Sequence, residues 1–263
     1  MIYAETEGLA ITLIIAIIIL GVLIGIASIV ALIFSIYLAV KYIKYNRQKA
    51  KCGVAGKDVA RQLLDKNDLG HIKVVRASFI AAFTVGNSYS HYFKRVRLRG
   101  LIYKKDSLTS VAIAGEKVGL ALLDKEKDPD MVKRIRLLPI ITFGPFFFIF
   151  LVLIGLGLDF LFFNADGTVF LILSVIAVLF YVWTFILSIR TLRSEKKAQD
   201  RAIEILREDN YLTEDEVQDA KDLYHLYNIN YILDAVIAFL EALRKILMLV
   251  LKILAKVNKS NNY

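Results

Sequence analysis

The sequence predicts a mainly α membrane protein with three transmembrane helices, a small α/β cytoplasmic segment and a C-terminal amphipathic helix. Hydrophobic residues make up 57% of the chain, and mean hydropathy is +0.56. Three long apolar runs alternate with strongly charged segments. Soluble domains do not have this composition.

Residues 1–7 are the expected extracytoplasmic N-terminus, carrying Glu5 and Glu7 and no base. That is the wrong start for a cleaved signal peptide, so the first apolar run is expected to be retained. Residues 8–40 form transmembrane helix 1, with no charge from Gly8 to Val40. At about 1.5 Å per residue this run exceeds the roughly 30 Å hydrocarbon core. Gly21 and Gly25 give it small-residue spacing suited to homo- or hetero-oligomer contact.

Residues 41–136 are expected to be a cytoplasmic folded region. Val59, Leu63 and Leu64 give an apolar helical face, and Ile72 to Val75 and Arg95 to Ile102 read as strands of a small antiparallel sheet. Leu108 to Leu123 reads as a helix, ended by the charged, Pro129-containing stretch from Asp124 to Asp130.

Residues 137–158 are transmembrane helix 2, which Pro139 and Pro145 should bend. Residues 159–167 are an external turn carrying Asn164-Ala165-Asp166-Gly167, and 168–189 are transmembrane helix 3. Lys41, Lys44, Arg47, Lys133, Arg134, Arg136, Arg190 and Arg193 all fall on one side of these spans, which predicts an outside N-terminus and cytoplasmic polar segments.

Residues 190–228 are a cytoplasmic helical region, broken at Asn210-Tyr211 and restarted by a capping box of Thr213 and Glu216. Residues 229–257 are the amphipathic, membrane-associated helix. Asp234, Glu241, Lys245, Lys252 and Lys256 share one face, with Arg244 beside it. Either it lies in the interface with Arg244, Lys245, Lys252 and Lys256 toward lipid head groups, or it enters the membrane with that stripe packed on protein.

Several segments in order carry a resemblance. Gly56-Lys57-Asp58-Val59-Ala60-Arg61-Gln62-Leu63-Leu64-Asp65 resembles G-x-E-V-A-R-x-I-L-D, and His91-Tyr92 resembles the start of H-Y-D-P with the Asp-Pro missing. Ile102-Tyr103 and Ser107 fall in register, without gaps, with V-Y and S upstream of A-x-H-E-V-G-H-A, within which Val118, Gly119 and Ala121 match. Arg136-Leu137-Leu138-Pro139, Phe143-Gly144 and Glu195 through Leu206 resemble R-x-x-L-V-P, N-F-G and E-F-x-A-S-R-R-A-L. From about Gly56 to Leu247 the chain is therefore similar to the membrane-bound neutral zinc metallopeptidase family (YugP-like), and Leu108 to Leu123 is its zincin-like helix. The resemblance implies a protein integral to the membrane of a bacterial cell.

The family's H-E-x-x-H puts two histidines on one helix face for Zn²⁺, with a glutamate as general base. Here the ligand positions hold Glu116 and Leu120, and the base position holds Lys117. Leucine offers no lone pair, and a lysine ammonium has only donors. Sliding the register by one puts Gly115 and Gly119 at the histidine positions and restores nothing. The resemblance makes Glu195 the family's third ligand, the one such position still filled. The sequence alone thus predicts no zinc, no catalytic, metal or cofactor-binding residues, and no enzyme. Glu195, short of its metal, is expected to pair with Lys117, or failing it Arg193 or Lys196.

The net charge of +9 and pI near 9.4 are explained by membrane flanks, so no nucleic-acid partner is expected. The Lys94-Arg95-Val96-Arg97-Leu98-Arg99 run reads as one exposed strand face. One cysteine, Cys52, excludes an internal disulfide. His71, His91 and His225 are too scattered to ligate a metal from one helix turn. The expected function is an inactive homologue acting as a membrane scaffold or adaptor for a protein partner, with membrane lipids as the other partner. The alternatives are an active zinc metallopeptidase with non-standard ligands and a lipid-surface organiser.

Overall fold

In the computed structural model the backbone is described for residues 2–84, 86–162 and 168–260, and side chains for these except 2–9, 83, 84, 145 and 253–260. The 164–167 turn and the side chains of Glu5, Glu7, Pro145 and Lys256 lie outside the described residues.

Long helices carry the apolar runs. They are α1 (Ile2–Arg47), α6 (Pro129–Phe162), α7 (Thr168–Glu208) and α8 (Glu214–Ser260). Between α1 and α6 come α2 (Gly56–Lys66), β1 (Lys73–Arg76), α3 (Phe79–Thr84), β2 (Ser88–Ser90), β3 (Arg95–Leu98), α4 (Gly100–Lys104) and α5 (Leu108–Lys125). Among the described residues three helices, α1 from Ala10, α6 and α7, are long and apolar enough to cross a membrane. The protein is a mainly α membrane protein with a small three-stranded sheet.

The chain divides into two compact units, one of residues 1–32, 137–189 and 231–263, the other of 33–136 and 190–230. In the first, glycines let helices close on one another. A Cβ on Gly144 would stand 2.7 Å from Thr184 Cγ2, and one on Gly155 would stand 3.1 Å from Phe170 Cα. α6 remains helical through Pro139. The C-terminal half of α8 packs here too: Phe239 stacks on Phe185 at 5.9 Å, and Tyr231 donates to the Ser188 carbonyl at 3.3 Å. Gly21 faces the Arg244 guanidinium, while nothing stands within 4 Å of a Cβ built on Gly25. Lys245 and Lys252 line a cavity of about 240 Å³ with Phe148 and Ser174.

The second unit is built around α5, whose residues from Leu108 to Leu123 are all buried. Ser107 caps it by accepting from Ser110 N at 3.2 Å. Val59, Leu63 and Leu64 of α2 enter the same core, as the helical spacing predicts. The sheet order is β1-β3-β2. β3 alternates half-buried Arg95 and Arg97 with buried Val96 and Leu98.

Two expectations are corrected here. β1 and β3 run parallel, Lys73 opposite Arg95, because the segment between them makes a crossover and supplies the antiparallel strand β2, unforeseen from three weakly patterned residues. The second strand stops at Leu98, since α4 begins at Gly100. α8 runs unbroken from Glu214 to Ser260, and the two compact units part within it, between residues 230 and 231. Its start is as expected, with Glu216 accepting from Thr213 N at 3.0 Å.

Candidate functional site

The family-like helix α5 is crossed at its middle by the polar part of α7, beyond the apolar stretch 168–189. A Cβ on Gly119 would stand 2.3 Å from the Ala198 carbonyl oxygen, so only glycine permits this approach. It sets Glu195 and Gln199, one helical turn apart, against Glu116 and Lys117, both buried. Leu120 is fully buried in the core.

Lys117 Nζ lies 3.1 Å from Glu116 Oε2 and 3.6 Å from Glu195 Oε2. Arg134, from the first turns of α6, donates through Nη2 to Glu195 Oε1. On the other side Gln199 Nε2 donates to Glu116 Oε1 at 3.3 Å, and Asn228 Nδ2 of α8 donates to Gln199 Oε1 at 2.8 Å. Tyr224 donates to the Ala112 carbonyl at 2.5 Å. Charge pairs and amides thus join four helices in one polar network.

Burial pushes the Glu116 carboxyl above its usual range, against the pull of Lys117. Burial acts on Glu195 in the same sense, but Lys117 and Arg134 outweigh it and hold that carboxyl below the usual range. For Lys117 burial favours the neutral amine, and Glu116 and Glu195 overcome it, so its ammonium is held more firmly than usual. Of the two acids, Glu116 takes a proton first and Glu195 stays anionic.

The Lys117–Glu195 pair expected from the sequence is present. Arg193 and Lys196 are exposed, and among the described residues neither forms an ion pair with Glu195. Sequence reasoning missed Arg134, taken for a membrane flank. Its signal is the spacing of three from Met131, which is buried and marks the inward face of α6. It also missed Gln199, Asn228 and Asp124. Asp124 Oδ2 receives Tyr89 Oη at 2.5 Å, meets His91 Nδ1 at 2.7 Å and lies 3.4 Å from Lys94 Nζ. His71 and His225 are exposed.

With this geometry the comparisons can be placed. The family described as "Putative neutral zinc metallopeptidase" matches residues 17–250. The chain is 26% identical over 215 residues to "Putative membrane protease YugP" of Bacillus subtilis (strain 168), covering 78% of this chain and 85% of that protein. No solved structure matches.

These matches correct two expectations drawn from the altered motif, that the chain is no enzyme and that it carries no zinc cofactor. The family is described by zinc peptidase chemistry, and the relative is named a protease. The residues at this position nevertheless do not fit zinc. Leu120 has no donor atom, Lys117 presents a cation, and Glu195 is engaged by Lys117 and Arg134. Among the described residues no three His, Cys, Asp or Glu side chains stand together as a ligand set. Matched over most of its length, from transmembrane helix 1 into α8, the chain belongs to the neutral zinc metallopeptidase family.

Proposed function

We propose that this membrane-bound family member works as a scaffold or adaptor that holds a protein partner on a folded unit facing the cytoplasm. The observation that carries this reading is the Glu116, Lys117, Glu195 and Arg134 quartet. Where the resemblance puts the family's metal ligands, α5, α6, α7 and α8 are tied by buried polar pairs, and a connected network of this kind supports a rigid platform. The cytoplasmic placement is supported by the basic residues that follow the first apolar run, precede the second and follow the third.

A surface for the partner is supported by Phe79, 90% exposed, and Ile80, 74% exposed, on α3, with Leu101, 58% exposed, on α4. Arg99 links these elements by donating to the Ala82 carbonyl at 3.0 Å. Large apolar side chains exposed together on a folded unit mark an interaction site. The test is affinity purification from native membranes of the full chain and its Phe79→Asp/Ile80→Asp variant. A stoichiometric partner retained by the native chain and lost from the membrane-inserted variant supports the reading. An identical retained set, or no partner on the native chain, overturns it.

The family match favours a second reading, peptide-bond hydrolysis by a zinc-loaded chain. Stoichiometric zinc in purified protein, with chelator-sensitive cleavage of a peptide, decides for it.

A further inference from the structure

A second cluster of charge lies apart from the quartet. A cavity of about 440 Å³ opens between the α2–β1 turn, the β2–β3 turn, the end of α5 and the start of α6. His71, His91, Lys94, Lys127 and Arg136 line it, with Ile72, Val132 and Ile135 as apolar wall. Asp124 is the acid among the lining residues, and its Oδ2 is already taken up by Tyr89, His91 and Lys94. That oxygen fixes His91 through Nδ1 and leaves Nε2 outside the bond. The side chains of Lys127, Arg136 and His71 make no ion pair or hydrogen bond among the described residues. The cavity therefore has an unbalanced positive lining around a pre-positioned histidine, and its charge complements an anion.

Two further observations narrow the anion. Lys94 and Lys127 sit in left-handed backbone, with φ of 42° and 54°, where Gly or Asn is the ordinary choice. Both lysines face the cavity, and Lys127 holds this conformation as the residue that ends α5, with its N–H on the Asp124 carbonyl and the Asp128 N–H on the Leu123 carbonyl. Beside Lys94, Tyr92 and Phe93 are 61% and 68% exposed, and Arg95 lies 4.5 Å over the Phe93 ring. Exposed aromatics next to basic residues are the composition of a membrane interface. Arg136 immediately precedes the apolar run beginning at Leu137, so a basic residue of the cavity borders that run in sequence.

We infer that this cavity binds the phosphate of an anionic phospholipid, with Lys94, Lys127 and Arg136 around the phosphate and Tyr92 and Phe93 in the interface. The inference rests on the proposed cytoplasmic facing of the folded unit, the side on which membranes expose anionic lipid. That facing is checked separately by thiol labelling.

The experiment is native mass spectrometry of the full-length protein in detergent, titrated with phosphatidylglycerol, phosphatidylcholine or inorganic phosphate. Phosphatidylglycerol should be retained, and the Lys127→Gln/Arg136→Gln variant should bind it about tenfold or more weakly. Tyr92→Ser/Phe93→Ser should also weaken the lipid. Unfolding curves of each variant confirm that the fold is kept. Undiminished phosphatidylglycerol in Lys127→Gln/Arg136→Gln, equal retention of phosphatidylcholine, or displacement by inorganic phosphate would each overturn the inference. The last result would identify a soluble anion site.

Discussion

Gly119 and Ala198 meet backbone to backbone, so closely that a Cβ on the glycine would stand 2.3 Å from the alanine carbonyl oxygen. This approach carries Glu195 and Gln199 onto Glu116 and Lys117. Gly119→Ala is expected to destabilise the protein by about 1–3 kcal/mol, because a carbonyl in a helix cannot swing aside. Gly115→Ala would meet Leu206 Cδ1 at 2.5 Å. A side chain can turn, and alanine gains roughly 1 kcal/mol of helix propensity over glycine, so the loss should be smaller. Unfolding in detergent ranks the two variants, and equal losses would refute the close approach.

The two buried acids pull stability in opposite directions with pH. Glu195 is held below its usual range, so its contribution is present above the ordinary carboxyl value and is lost as pH falls through its folded value. Glu116 is raised, so the folded state holds its proton more tightly than the unfolded chain does. Its effect turns unfavourable as pH climbs from the ordinary carboxyl value. The melting temperature of Glu116→Gln relative to the native chain should therefore rise across that interval. A difference that stays flat with pH would show that Glu116 titrates normally.

Cys52 gives a native reporter of orientation, being the chain's one cysteine. A membrane-impermeant maleimide should label it in inverted membrane vesicles and spare it in intact cells. Burial pushes its thiol above the ordinary value. Since the thiolate reacts, labelling should be slow at neutral pH and quicken in alkali. Labelling of intact cells would reverse the proposed orientation.

What the sequence made legible follows from how each signal arises. The spans and the limits of α5 were readable because long apolar runs, the Ser107 cap and the Pro129 stretch are local. Lys117 facing Glu195 was readable because family register placed both residues. Arg134 was not, since one arginine among Lys133, Arg134 and Arg136 looks like a membrane flank until α7 supplies a carboxylate beside it. β1 pairing parallel to β3 depends on a crossover, and the Asp124–His91 contact joins residues far apart in sequence. Neither leaves a periodic trace.

The central claim is that Lys117 and Glu195 form a buried ion pair where the family's metal ligands are expected, and a double-mutant cycle tests it most directly. Lys117→Met alone should cost about 3 kcal/mol, the lower end for stripping one partner from a buried pair, because Arg134 still serves Glu195. With Glu195→Gln completing the cycle, a coupling of about 1–3 kcal/mol in detergent-solubilised protein is the predicted result. Losses that add to within about 0.3 kcal/mol would mean the two side chains do not interact, and would contradict the account.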